Sequence, residues 1–120
     1  MEFDLDNFRI YPADGPAEAD LPAILDYYNQ RFFADESAPI AVAEFVHSLD
    51  GPAAVFPEIG RIEINEKLRT FTKLCCFLVL HELINNRLFH RCGKQQPYSG
   101  ESFQAELKRL WEERAYRDIL

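Results

Sequence analysis

The spacing of apolar positions changes repeatedly along these 120 residues, and each change marks an expected element. Phe3, Leu5, Phe8 and Ile10 alternate briefly before a Pro/Gly/Ala/acidic tract, "PADGPAEAD". This predicts an edge strand or extended arm running into a loop over residues 1–20, ahead of a domain over 21–120. Asp20 is placed to cap a helix carrying Pro22 in its first turn, and Leu21, Ile24, Leu25, Tyr28 and Phe32 follow at helical spacing to about Phe33. "PIAVAEFVHS" and "GPAAVF" read as short strands. "EIGRIEIN" reads as a third, alternating at Ile59, Ile62 and Ile64, with Gly60 and Arg61 leaving room for a bulge. From about Glu66 to Phe89 the period is helical, and Gly93 is a candidate C-cap. A last helix is expected from about Gly100 to Tyr116, burying Phe103, Leu107, Leu110 and Trp111. Helix, small sheet, long helix and helix make an α+β fold.

The long helix holds a polar island. With His81 as origin and about 100° per residue, Asn85 lies near 40°, Glu82 near 100° and Asn86 near 140°. The turns on either side of this arc carry Phe71, Leu74, Leu78 and Phe89. A carboxylate and an imidazole buried among such neighbours cost several kcal/mol, roughly, unless something satisfies them. One answer is a metal. In H-E-x-x-H helices the two histidines grip zinc and the glutamate activates its water, but Asn85 stands where the second histidine would be. The other answer is a hydrogen-bonded cluster, His81 with Asn85 and Glu82 with Asn86. His90 faces the opposite side of the helix, Cys92 is too far along it, Cys75 and Cys76 lie off the arc, and His47 belongs to a different element.

Composition narrows the class. Apolar residues make up 48% and aromatics 13%, as in a globular protein. A net charge of −7 repels phosphate backbones, which argues against nucleic acid as a partner. Basic residues gather in the C-terminal half but alternate with acids, as on solvated helix faces. Cys75, Cys76 and Cys92 are odd in number and two are adjacent, the usage of reduced thiols in a cytoplasmic setting. The acidic N-terminus lacks the apolar core of a signal peptide, and the longest apolar run, Leu74–Leu80, is too short to span a membrane.

Several ordered segments, "ILDYYNQRFF", "GRIEINEKL", "LVLHELINNRLF" and "YSGESFQAELKRL", together resemble the SprT-like family of zinc metallopeptidases over about residues 21–112. The resemblance implies a zincin-like fold: an N-terminal helix, a small three-stranded sheet, the long HExx(N) helix and a C-terminal helix. It places His81 at the first zinc ligand and Glu82 at the catalytic general base. Asn85 and Ser99 fall at the second and third zinc histidines, so both positions are substituted and His81 and Glu82 become vestigial. Ser99 also suits an N-cap of the last helix. Tyr98 is a candidate binding hydroxyl, or a packing residue. The expectation is a metallopeptidase homologue without zinc or peptidase activity, acting as a binding or regulatory module that holds a peptide or protein partner in the former substrate cleft. The alternative is an active zinc enzyme using His81, Asn85 and a carboxylate such as Glu106, with Glu82 as base. Otherwise Glu106 is a salt-bridged residue of the helix surface. A third reading is an interaction or structural protein that shares only the fold.

Overall fold

The computed structural model describes residues 18–94, 100–117 and 119. The arm expected over 1–20 therefore lies outside the described residues except for Glu18, Ala19 and Asp20, and so do Tyr98 and Ser99. The described residues are α+β, with three α-helices and one three-stranded mixed sheet among them.

Helix α1, Leu21–Phe32, starts as its sequence requires. The Asp20 carboxylate accepts from the Ala23 amide at 3.1 Å, and Pro22 occupies the first turn, where no amide hydrogen is needed. Leu21, Leu25 and Tyr28 form its buried face. Strands β1 (Val42–Val46), β2 (Ala53–Phe56) and β3 (Arg61–Asn65) lie in the order β1-β3-β2. The central strand is parallel to β1 and antiparallel to β2.

Ile62 and Ile64 alternate inward from β3 with no exposed surface, but Ile59 does not continue their pattern and is 71% exposed. In place of the expected bulge, Gly60 ends the turn joining β2 to β3, and Arg61 opens β3 in register with Phe56. The Ile59 and Gly60 amides bond back to Phe56 and Pro57, and Gly60 takes a φ of 64°. A Cβ there would meet the Pro39 carbonyl at 3.3 Å, so glycine suits both the conformation and the close approach. The Gly60 carbonyl then accepts from Ala41 and Val42, tying the turn to the entry of β1.

The long helix begins later than its periodicity suggests. Glu66–Leu68 form a 3-10 turn capped by the Asn65 side chain, and α2 proper runs Thr72–Cys92. Gly93 closes it in the left-handed conformation, its amide bonded to Phe89 at 2.8 Å. Helix α2 is the centre of the molecule. It packs on β2 and β3, on α1 and on α3, so its core-facing surface extends well beyond one stripe.

Helix α3, Glu101–Glu112, is shorter than expected and ends before Arg114, whose φ is 65°. Its N-cap is Gly100, which makes no side-chain capping bond, so the role assigned to Ser99 does not fall on the cap residue itself. Phe103 and Leu110 are buried and Leu107 partly so, but Trp111 is 64% exposed rather than part of the core stripe.

Candidate functional site

The polar island lies inside the protein. Glu82 is 5% exposed, and Asn85 and Asn86 are equally buried. The hydrogen bonds are not the pairs expected from the sequence. Asn85 Nδ2 donates to Glu82 Oε2 at 3.3 Å, because residues three apart on a helix are neighbours. Asn86 turns away from Glu82 and donates to the Ala38 carbonyl at 2.9 Å. Asn29 of α1 does the same for Ile40 at 2.9 Å, so two asparagines hold the extended segment entering β1.

Burial decides the protonation of this pair. Loss of hydration pushes the Glu82 carboxyl up to about 7, against the smaller opposing effect of the Asn85 hydrogen bond. The His81 imidazole is pulled below its ordinary value by the same desolvation. His81 is half-buried, with its ring 4.9 Å from that of Phe103 and 6.1 Å from that of Phe77. Around neutral pH the site thus favours a neutral imidazole, with a carboxyl near its midpoint. Phe77 also lines an apolar groove of about 400 Å³ with Leu107, Trp111 and Tyr116.

One turn further along α2 is a cluster that the sequence reading placed on a solvated face. The Arg87 side chain is 3% exposed. Its Nε donates to Glu36 at 3.2 Å, its Nη1 to Glu106 at 3.3 Å and its Nη2 to Asp35. Glu106 also receives Arg91 at 3.4 Å and Arg109 at 2.7 Å. The Phe33 ring stacks against both Arg87 and Arg109, with guanidinium carbons 4.8 and 5.2 Å from its centroid. Glu106 is therefore salt-bridged, as one reading held, but buried rather than on the surface. The signal was present in the sequence. Glu106 lies between Phe103 and Leu110 in the buried stripe of α3, and Arg87 is bracketed by Leu83, Ile84 and Leu88.

These residues do not fit a zinc ion. Glu106, the carboxylate available as a substitute ligand, is enclosed by three guanidinium groups, which repel a dication and occupy its oxygens. Asn85 offers only an amide oxygen, and its nitrogen is directed at Glu82. The remaining soft donors lie elsewhere. His47 pairs with Glu66, His90 faces the Pro57 carbonyl at 3.1 Å, Cys75 donates to the Leu68 carbonyl at 3.3 Å, and Cys92 is exposed. Among the described residues no three His, Cys, Asp or Glu side chains are grouped to hold a metal.

Comparison of the chain with family models, with curated proteins and with solved structures returned no match. Among the described residues no helix is long and apolar enough to cross a membrane.

Proposed function

We propose that this chain is a zincin-fold, SprT-like protein that has lost zinc and peptidase activity and acts as a peptide- or protein-binding module. The observation that carries the reading is the environment of Glu106 and Glu82. The carboxylate that could replace a lost ligand is held by Arg87, Arg91 and Arg109, and the residue at the general-base position is bonded by the asparagine at the second ligand position. Burial raises the Glu82 carboxyl to about 7, and its hydrogen bond comes from the Asn85 amide. What remains beside His81 is the apolar groove at Phe77, with the exposed Trp111 on its rim, a surface suited to an apolar side chain of a partner.

The test is elemental analysis of protein purified without chelator, together with a peptidase assay. The expected result is substoichiometric zinc and no hydrolysis. One zinc per chain, with hydrolysis abolished by Glu82→Gln, would overturn the reading in favour of the active enzyme. If a partner is captured, His81→Ala and Trp111→Ala should weaken its binding, and indifference to both would move the binding surface away from this groove.

A further inference from the structure

The groove beside Phe77 does not end at Trp111. Trp111 and Tyr116 line both the hollow of about 400 Å³ and a neighbouring one of about 670 Å³, so the two are continuous across the indole. Trp111 is 64% exposed between them, while Leu110, one residue earlier, is fully buried. A tryptophan in that position adds little to the core, and tryptophan is enriched among the residues that anchor protein interfaces.

The charge of this surface runs against that of the whole chain. The chain carries −7, but Lys108, Arg114 and Arg117 line the two hollows against the single anion Glu112. Lys108 and Glu112 meet at 3.9 Å, with side chains 78% and 64% exposed, a contact too loose to hold either. Arg114 and Arg117 are exposed, and among the described residues neither guanidinium has an ion pair or a hydrogen bond.

The backbone at Arg114 points the same way. Helix α3 closes with the Arg114 amide bonded to the Trp111 carbonyl at 3.1 Å and the Ala115 amide to the Leu110 carbonyl at 2.9 Å. Arg114 takes the left-handed turn of this closure, with a φ of 65°. Glycine is the residue that suits such a position, and an arginine there is strained. No ion pair or hydrogen bond among the described residues offsets that strain. A strained residue at the wall of a groove is an observation from which function can be inferred.

We propose that this groove binds an acidic segment of a partner protein that carries a large apolar side chain, an inference that rests on the reading of the groove as a partner surface. The apolar side chain enters the hollow formed by Phe77, Leu107, Trp111 and Tyr116, and flanking carboxylates meet Arg114 and Arg117 at one end and Lys108 at the other. Other occupants fit less well. A second copy related by a two-fold axis would oppose Arg114 and Arg117 to themselves, and a head-to-tail contact would leave an open chain of copies. An anionic bilayer or a nucleic acid would meet the −7 of the whole chain, and a bilayer surface does not fill a concave groove. Residues 1–8 interleave Glu2, Asp4 and Asp6 with Phe3, Leu5 and Phe8 and share the required chemistry, but Lys108, Trp111, Arg114 and Arg117 remain exposed in the folded chain.

The experiment is fluorescence polarisation of the full chain with a labelled peptide in which two leucines are flanked by aspartates. Its controls replace the aspartates by asparagine, or the leucines by serine. Binding is expected for the aspartate/leucine peptide and loss for both controls. Trp111→Ala, Arg114→Gly and raised salt should each weaken it by roughly three- to tenfold. Arg114→Gly should melt no lower than the wild type, because glycine suits the left-handed position, so its loss of binding cannot come from misfolding. Failure of the aspartate/leucine peptide to bind would overturn the proposal. Equal binding of the asparagine peptide would overturn the acidic selection and leave the groove as a partner surface. Binding that ignores Trp111→Ala would remove both. A full chain with Asp4→Lys and Asp6→Lys that binds the peptide more than about tenfold tighter would assign the groove to the chain's own first residues. Concentration-dependent dimers disrupted by Trp111→Ala would assign it to a second copy, and sedimentation with phosphatidylserine vesicles lost in Arg114→Gly would assign it to a membrane; either result would overturn the proposal.

Discussion

Glu82 and His81 are adjacent, and burial drives them in opposite directions on the pH axis. The folded-state value of Glu82 is about 7 against an ordinary 4.5, so the unfolded chain ionises first as pH rises. Its contribution is fully favourable below 4.5 and is lost between 4.5 and about 7, on the order of 3 kcal/mol in all. His81 is shifted down from 6.5, so the unfolded chain takes up its proton first, and stability is lost as pH falls below that value. Between 4.5 and 6.5 the two trends oppose each other. Glu82→Gln removes one of them. Urea unfolding across this window should show the variant gaining on the wild type as pH rises, by up to about 3 kcal/mol above neutrality. A constant difference would mean that the Glu82 carboxyl is hydrated and ionised. The sequence revealed both residues, because two titratable groups interrupt an apolar stripe. It did not reveal their partners. Asn86 is captured by the Ala38 carbonyl on a segment far away in the chain, a contact that helical geometry alone cannot supply.

At the scale of elements, the positions of all three helices and all three strands were legible, because period, caps and turn glycines agree along the chain. The phase of α3 was not. A stripe through Phe103, Leu107, Leu110 and Trp111 maximises apolar burial, but the helix instead turns Phe103, Glu106 and Leu110 inward. Three arginines from two helices make burial of Glu106 tolerable, and that frees Trp111 to face outward. Trp111→Ala should therefore change stability by no more than about 0.5 kcal/mol, whereas Leu110→Ala, one residue away, should cost about 2–5 kcal/mol in denaturant titrations. Reversed magnitudes would restore the expected stripe. The same cluster joins the segment after α1 to α2 and α3 through Asp35, Glu36 and Glu106. Arg87→Ala leaves two nearly buried carboxylates without their central partner and should cost about 3–5 kcal/mol. Arg91→Ala, at a side chain 51% exposed, should cost less than about 1 kcal/mol. Comparable losses for the two would show that Arg87 is hydrated and the clamp weak.

For the whole molecule the decisive quantity is whether folding is linked to a metal. A resident zinc stabilises the folded state in proportion to the logarithm of its concentration over its dissociation constant, so its removal lowers the melting temperature. In the proposed reading the fold stands on other supports. Ile62 and Ile64 of the sheet and Val79 and Leu80 of the central helix are fully buried, and Arg87 bridges three segments. The melting temperature should therefore be the same with and without a strong chelator. Adding zinc should not raise it beyond the small shift given by magnesium. The resemblance then makes a sharper demand. Asn85→His with Ser99→His should create two imidazoles beside His81, release Glu82 from its amide partner, and make the melting temperature rise with zinc. The single Asn85→His variant should respond far less, because two histidines hold the ion much more weakly than three. A zinc response in the wild type would return the metal to the native protein. A double variant that folds but ignores zinc would show that residues 85 and 99 do not face a common point with His81, and the carry-over of ligand positions from the SprT-like pattern would fail with it.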